Sequence, residues 1–247
     1  MHGGKPDTRI HRRLFKAATG IIPTNSITKE QIKKVFAVPE EKFIIEPNGV
    51  DLSKFSPLDK AQARGSLSLA QEGKLALYIG RFFDWKGLGI LAEAAKLLPR
   101  DFTIGLVGGE KEEFVTVTGT EPGALVFYGS KPYGEMPLWE GAADVLVVLG
   151  TRADEQSWNY TSPMKIFEYM AMKRPIVASR TPALKNILSE EECYFYEPDN
   201  ALDLARAIEE AGKSDGLRVA RAYEKIKQYS WDLRATRIQE FIRTRIV

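Results

Sequence analysis

The sequence predicts an α/β fold, a parallel sheet sandwiched between helices with a small N-terminal piece beside it. Three observations carry this. Short runs of apolar or β-branched residues recur along the chain, at 75–79, 102–107, 125–128, 145–149, 175–179 and 194–196. Most are continuously apolar and not alternating, which marks strands covered on both faces, as in a parallel sheet. Segments with helical spacing fall between them, and steady alternation of strand and helix implies right-handed crossovers.

The elements follow in chain order. Ile10, Leu14 and Ala18 form an apolar stripe at helical spacing, with Arg9, Arg12, Arg13 and Lys16 beside it. Two short strand-like runs, 20–24 and 43–46, and two helical patterns precede residue 47. Such a piece is too small to bury a good core alone and reads as the tail of a larger domain. Pro47, Asn48, Gly49, Val50 and Asp51 make a turn-rich connector, followed by Ser53 and Pro57. A six-strand α/β unit then runs to about residue 229. Within it, Leu88, Leu91, Ala95 and Leu98 predict a helix over 87–98, and Met164, Phe167, Met170 and Ala171 one over 163–172. Segments 203–211 and 217–229 are amphipathic in the same way. A final helix over 231–246 carries Leu233, Ile238, Phe241 and Ile242 on one side.

The bulk figures exclude several classes. The chain has 247 residues, 44% hydrophobic and 28% charged, with a net charge of +2. That is an ordinary globular balance, with no basic excess of the kind that binds nucleic acid. Both ends are locally basic, the second through Arg234, Arg237, Arg243 and Arg245. Basic ends suit a membrane surface, an acidic partner or an anionic substrate, and a solvated helix face explains the same charges. The one cysteine, Cys193, allows no intrachain disulfide and reads as a small core residue. A cytoplasmic setting, with peripheral contact at the inner membrane face, is the expectation. No stretch approaches the ~20 apolar residues of a membrane span.

Two segments can carry chemistry. In 80–87 a strand ends at Gly80 and a helix opens near Gly87, with Arg81 and Lys86 between them. Ligands of open α/β sheets lie beyond the carboxyl ends of strands. An Arg fork, a Lys point charge and a helix N-terminus there suit a diphosphate, although a surface loop with two solvated cations has the same sequence. In 162–171, Ser162 is a good N-cap and Pro163 a good first helical residue. The free N–H groups of Met164 and Lys165 would face phosphate or sugar oxygens. Glu168, one to two turns in, is placed to accept hydrogen bonds from vicinal hydroxyls such as those of a ribose; a plain cap and a surface acid are the bland alternative. Gly87, Leu88 and Gly89 lack the third glycine of a dinucleotide fingerprint. No Cys/His cluster has metal spacing, and the two histidines, His2 and His11, make a Ser-His-Asp triad improbable. No Walker loop or Asp-x-Asp pair occurs.

Together these segments resemble the family-four glycosyltransferases, whose GT-B fold pairs two Rossmann-like domains. Asn48-Gly49-Val50-Asp51 with Phe55 and Pro57 looks like the interdomain linker. Gly80-Arg81 with Lys86-Gly87 looks like the donor-phosphate motif, and 162–171 like the donor-site helix. Pro175 to Ser179 is similar to the strand after it, and Tyr229-Ser230-Trp231 to the start of the final helix. The resemblance implies four parts. Residues 1–47 are a remnant of the N-terminal, acceptor-side domain, and 48–57 the linker. Residues 58–229 form the donor-binding Rossmann-like domain, and 230–247 a helix crossing back towards the N-terminal part.

It also implies roles. Arg81 and Lys86 neutralise the donor diphosphate, Glu168 holds ribose hydroxyls, and the loop from Phe127 to Ser130 lies near the base. His2 would be a catalytic histidine at the edge of the N-terminal domain, or else part of a terminal tail. Transfer would be retaining and free of metal or other cofactor, from a nucleotide-sugar to an unknown acceptor: a glycan, a lipid-linked or a small molecule. Many members carry two glutamates around the donor-site helix. Glu168 fits the second, but Tyr160 stands at the first, so the sugar end differs. Two alternatives accompany this reading. One is a non-catalytic nucleotide-sugar-binding module or split subunit that needs an N-terminal-domain partner chain or a homodimer. The other, weaker, is an epimerase of the same fold.

Overall fold

The computed structural model describes residues 9–245; His2 lies outside them. The elements run α1 (Arg9–Ala17), α2 (Ser26–Phe36), α3 (Lys60–Ser66), β1 (Lys74–Ile79), α4 (Ile90–Leu97), β2 (Phe102–Val107), α5 (Lys111–Thr118), β3 (Val126–Phe127), α6 (Met136–Ala142), β4 (Val145–Val148), α7 (Met164–Ala171), β5 (Ile176–Ser179), α8 (Pro182–Lys185), β6 (Tyr194–Tyr196), α9 (Ala201–Ala211), α10 (Leu217–Ile226) and α11 (Trp231–Arg243). The six strands form one parallel sheet in the order β3-β2-β1-β4-β5-β6. The strand order reverses between β1 and β4, so the crevice that such sheets use for ligands opens beyond their carboxyl ends.

The continuous apolar runs have a simple cause. Side chains alternate across a strand, and both faces are covered. Leu75, Leu77 and Ile79 of β1 pack with Leu146, Val148, Phe167 and Met170 on one face. Ala76 and Tyr78 pack with Ile104, Val147, Leu91 and Phe114 on the other. Cys193 belongs to the first core and is fully buried, and burial pushes its thiol up, as suits a core residue.

Arg64 on α3 ties the amino-terminal end of the sheet. Its side chain is 2% exposed. It donates to the carbonyls of Ala142 (3.0 Å), Gln71 (3.0 Å), Ala70 and Gly73 (both 3.2 Å) and to Asp144 Oδ2 (2.5 Å). Asp144 also accepts from the Leu75 N–H at 2.7 Å and Lys60 Nζ at 2.6 Å. One ion pair thus fixes α3, the start of β1 and the start of β4 together.

At the opposite end, β1 and β2 close up through two glycines. Gly80 N–H donates to the Val107 carbonyl at 2.8 Å. Gly108 has φ +129°, and a Cβ there would lie 2.5 Å from the Gly80 oxygen. Only glycine accepts both the conformation and the approach.

Several expectations are corrected. The runs 20–24 and 43–46 form no strands of their own, only the parallel bridge Ile21–Phe43. Pro23 has no N–H to give, so the pairing stops after Glu46 N–H reaches the Pro23 carbonyl at 3.0 Å. The helix expected over 87–98 begins at Ile90, because Gly87 adopts φ +70° and closes a 3-10 turn, Asp84–Lys86. The expected apolar side of α11 splits: Leu233 and Ile242 are exposed. The helix docks instead through Arg234, whose Nε donates to the Pro47 carbonyl at 2.8 Å, and Arg237, which grips Glu46 at 2.8 and 2.9 Å. Phe241 lies against Gly20. The 47–51 connector is held to this junction by Val50, paired with Ser230.

Replacing Arg64 with Met leaves Asp144 half-paired beneath two strands. The expected loss is about 3–5 kcal/mol, read as a lower urea midpoint at unchanged slope. Lys60→Met, which removes the exposed partner of the same carboxylate, is expected to cost less than about 1 kcal/mol.

Candidate functional site

A cavity of about 350 Å³ opens at the carboxyl end of β1, beside the start of α7. Gly80, Lys86, Met164, Lys165 and Glu168 all line it. The structure therefore brings together five of the residues singled out in the sequence. Tyr78, Tyr133 and Trp85 complete much of the wall.

Gly80 is the centre of the arrangement. Its φ is +143°, and a side chain there would meet Lys165 Nζ at 3.2 Å, Tyr78 Oη at 3.4 Å and Lys86 Nζ at 3.6 Å. Two ammonium groups thus converge on one backbone position. Each is held by a main-chain carbonyl: Lys86 Nζ donates to the Arg81 oxygen and Lys165 Nζ to the Ile79 oxygen, both at 2.7 Å. Lys86 also lies over the stacked rings of Phe83 and Trp85, 4.8 and 5.4 Å from their centroids, and Lys165 lies 4.2 Å from the Tyr78 centroid. Carbonyls and π faces hold the cations without neutralising them.

The electrostatics follow from this crowding. Burial, and then the Arg81 charge, bring Lys86 down to about 8. Burial, and then the Lys86 charge, hold Lys165 well below the usual ammonium range. Glu168 is buried and shifts upward through burial, opposed by Tyr133, whose Oη donates to Glu168 Oε1 at 2.8 Å, and by Lys165. Behind it, Glu140 on α6 is fully buried. Neither of its carboxyl oxygens has a hydrogen-bond partner among the described residues, and burial and the Glu168 charge push it well above the usual carboxylate range. A dianionic ligand would discharge the conflict at Gly80, since it lets both amines take their protons.

The remaining site residues lie elsewhere. Arg81 is exposed and does not line the cavity; its carbonyl and its charge act on Lys86. Ser162 is not the cap of α7. Pro163 occupies that position with ψ 122°, and the Ser162 carbonyl accepts from Asn48 Nδ2 at 2.9 Å. The connector thereby braces the loop that leads into α7. Phe127 packs edge-on against Phe82 and Phe114, and Ser130 is exposed; neither lines the cavity. Tyr160 lines a neighbouring cavity instead.

Two groups are not visible as site residues in the sequence. Lys165 is expected at the site for its N–H, and the structure adds its side chain, which reaches the Ile79 carbonyl. Tyr133, in a 3-10 turn before α6, has no spacing signal at all. Glu140 has one: it is the acid inside an otherwise apolar run from Met136 to Ala143.

Glu140 gives a test of this electrostatic picture. A carboxyl raised in the folded state stays protonated while its unfolded counterpart ionises, so the unfolded chain binds fewer protons and stability falls as pH rises above about 4.5. Glu140→Gln removes this loss. The variant is expected to match the parent near pH 4 and to exceed it at pH 7–8 in chemical denaturation.

Comparison with known proteins agrees with the architecture. Residues 73–213 match the family described as Glycosyl transferases group 1. The D-inositol 3-phosphate glycosyltransferase of Actinosynnema mirum is 26% identical over 250 residues, covering 92% of this chain and 58% of the relative. The chain spans about half the length of the curated relatives it matches. Among solved structures, sucrose-phosphate synthase from Thermosynechococcus elongatus superposes with a TM-score of 0.76 at 23% identity, covering 95% of this chain and 60% of that one. HepE from Anabaena, in complex with UDP-glucose, gives 0.76 at 19% identity, covering 96% and 67%. These two likenesses show the fold. The chain belongs to the group 1 glycosyl transferases, and its parallel sheet is the Rossmann-like layer of their GT-B fold.

Proposed function

We propose that the cavity at Gly80 binds the diphosphate and ribose of a nucleotide-sugar, and that the chain is the donor-binding part of a retaining, metal-independent glycosyltransferase. The observation that supports this most is the convergence of Lys86 and Lys165 on Gly80, at the switch point of the sheet, with Glu168 in the same cavity. A diphosphate is the ligand whose charge fits two ammonium groups, with the Arg81 charge acting on Lys86 from outside the cavity lining. Glu168 suits ribose, because two vicinal hydroxyls can donate to one carboxylate and offset its burial. HepE, which shares the fold, is seen with UDP-glucose; we carry over the donor class, a nucleoside diphosphate sugar.

The chemistry follows from where charge develops. As the bond between the anomeric carbon and the phosphate oxygen breaks, negative charge grows on the leaving diphosphate. Lys86, Lys165 and Arg81 stand ready to hold it, which is the part a divalent cation plays elsewhere, and preorganised charge in a shielded site is an effective stabiliser of such a transition state. Retention of configuration rests on the family resemblance. On the same reading, 48–57 is the linker and 58–229 the donor-binding domain. No helix among the described residues is long and apolar enough to cross a membrane; contact with a membrane surface would run through the basic ends.

Calorimetry with UDP-, ADP- and GDP-sugars tests the donor site. One of them is expected to bind in the micromolar to millimolar range. Lys86→Ala and Arg81→Ala are each expected to weaken it at least tenfold, about 1.4 kcal/mol, with the fold intact by circular dichroism. If no nucleotide-sugar binds, or both variants bind like the parent, the donor assignment is wrong.

A further inference from the structure

Tyr133 reaches the acid of the Gly80 cavity from another segment of the chain. Its Oη donates to Glu168 Oε1 at 2.8 Å, across 35 positions of sequence, and both residues line the cavity. Tyr133 is 55% exposed, yet its ring is backed. Pro132, extended at ψ 144°, leads into the turn, and the ring of Phe55 lies 5.7 Å away at 51°. Phe55 belongs to the 48–57 connector and is buried. Its N–H donates to the Asp51 carbonyl at 2.9 Å, and the Asp51 side chain accepts from the Ser53 N–H at 3.0 Å and hydroxyl at 2.6 Å. A folded connector thus supports the ring whose hydroxyl holds the acid.

The groups around Glu168 pull in opposite directions. Burial comes first and favours the neutral acid; the Tyr133 bond and then the Lys165 charge favour the carboxylate. Glu140 on α6 and Tyr169 on α7 also feel the Glu168 charge, and both hold their protons more tightly than usual. Lys86 lines the same cavity. The Tyr133 hydroxyl stays a donor, because burial, the Glu168 bond and the charges of Glu168, Glu140 and Asp51 raise its proton affinity. An ionised carboxylate has about four lone-pair sites over its two oxygens. Tyr133 takes one, and vicinal hydroxyls suit the others. A protonated carboxyl offers fewer and adds a proton of its own.

From this we infer that Tyr133 is a positioning residue: it holds Glu168 as an oriented acceptor, and so makes the cavity select ribonucleotides over deoxyribonucleotides. The inference rests on the donor reading of the Gly80 cavity and deepens it by naming what sets the ribose preference. Without the hydroxyl, burial prevails at a higher pH and the carboxyl is free to turn, so a ribose 2′-hydroxyl finds no fixed acceptor. Phenylalanine at this position keeps the wall and the packing on Phe55, which confines the change to the acid.

The test uses the full chain, calorimetry and three pairs of probes: UDP, ADP and GDP, each with its 2′-deoxy counterpart. The ribonucleotide that binds the parent is expected to do so about tenfold more tightly than its deoxy partner at pH 7. Tyr133→Phe is expected to cut that ratio about fivefold, by weakening the ribonucleotide and leaving the deoxynucleotide as in the parent. As pH falls the ratio declines in both proteins, and in Tyr133→Phe it does so at a higher pH, since the lost hydrogen bond lets Glu168 take its proton earlier. Phosphate protonation is common to both members of a pair and cancels in the ratio. The inference is overturned if Tyr133→Phe, folded by circular dichroism, keeps the parent's ratio or the parent's pH dependence. It is also overturned if the variant weakens both members alike, which makes Tyr133 a plain wall, or binds the ribonucleotide more tightly, which makes it a lid over the acid. A parent that binds both members alike overturns it too. All these outcomes leave diphosphate binding at Gly80 standing, whereas a parent that binds none of the probes removes the donor reading and this inference together.

Discussion

Two ammonium groups are forced to share the carboxyl end of β1. Lys86 arrives from a 3-10 turn after the strand, and Lys165 from the first turn of α7, and both reach the space that a side chain at Gly80 would fill. Carbonyls and aromatic faces hold them, and the nearby carboxyls of Glu168 and Glu140 favour the Lys165 charge without outweighing its burial. Like charges in a half-buried place repel, and the protein meets this by lowering both proton affinities. On the proposed reading, an anion between them offsets this repulsion.

The rest of the fold serves to keep that place open and rigid. Gly80 and Gly108 let β1 and β2 end close together, so no side chain fills the crevice. Asn48 braces the loop before α7 from the connector, which fixes where Lys165 begins its reach. At the far end of the sheet Arg64 and Asp144 tie β1 to β4, the two strands that flank the switch point. The order of strands and the charge at their ends are thus parts of one construction. Its cost falls on two buried acids. Among the described residues, Glu140 lies buried with neither carboxyl oxygen hydrogen-bonded, and Glu168 is buried and accepts from Tyr133. Perturbed proton affinities of this kind cluster at functional sites.

Much of this was legible in the sequence, for definite reasons. The strands of the sheet are apolar throughout because both faces are covered, and Val145 to Val148 or Ile176 to Ser179 can hardly be read otherwise. Gly80, Lys86 and Glu168 were placed at one sheet edge by position alone, since strand ends and helix starts of an α/β fold must meet there. What stayed hidden depends on tertiary approach. Ser162 has the composition of a cap, yet Pro163 takes the position because Asn48, far away in sequence, captures the Ser162 carbonyl. Tyr133 reaches Glu168 from a short turn with no periodicity to betray it. Phe127 ends β3 and Ser130 follows it, but that strand is at the sheet edge, and Phe127 is consumed by packing with Phe82 and Phe114. Leu233 and Ile242 look like core residues, whereas α11 docks through Arg234 and Arg237.

Proton uptake on donor binding tests the central claim most directly. A nucleotide-sugar carries no titrating phosphate near pH 8, so protons taken up from the buffer there go onto the protein. Lys86, at about 8 when free, is half protonated at that pH. A diphosphate between the two amines raises both proton affinities, so binding is strongest below pH 8 and weakens as pH rises through the free value. Calorimetry at pH 8 in buffers of different ionisation enthalpy should therefore give a net uptake of roughly half a proton or more per molecule bound. Uptake should be smaller in Lys86→Ala. Binding with no uptake, or with release of protons, would contradict the account.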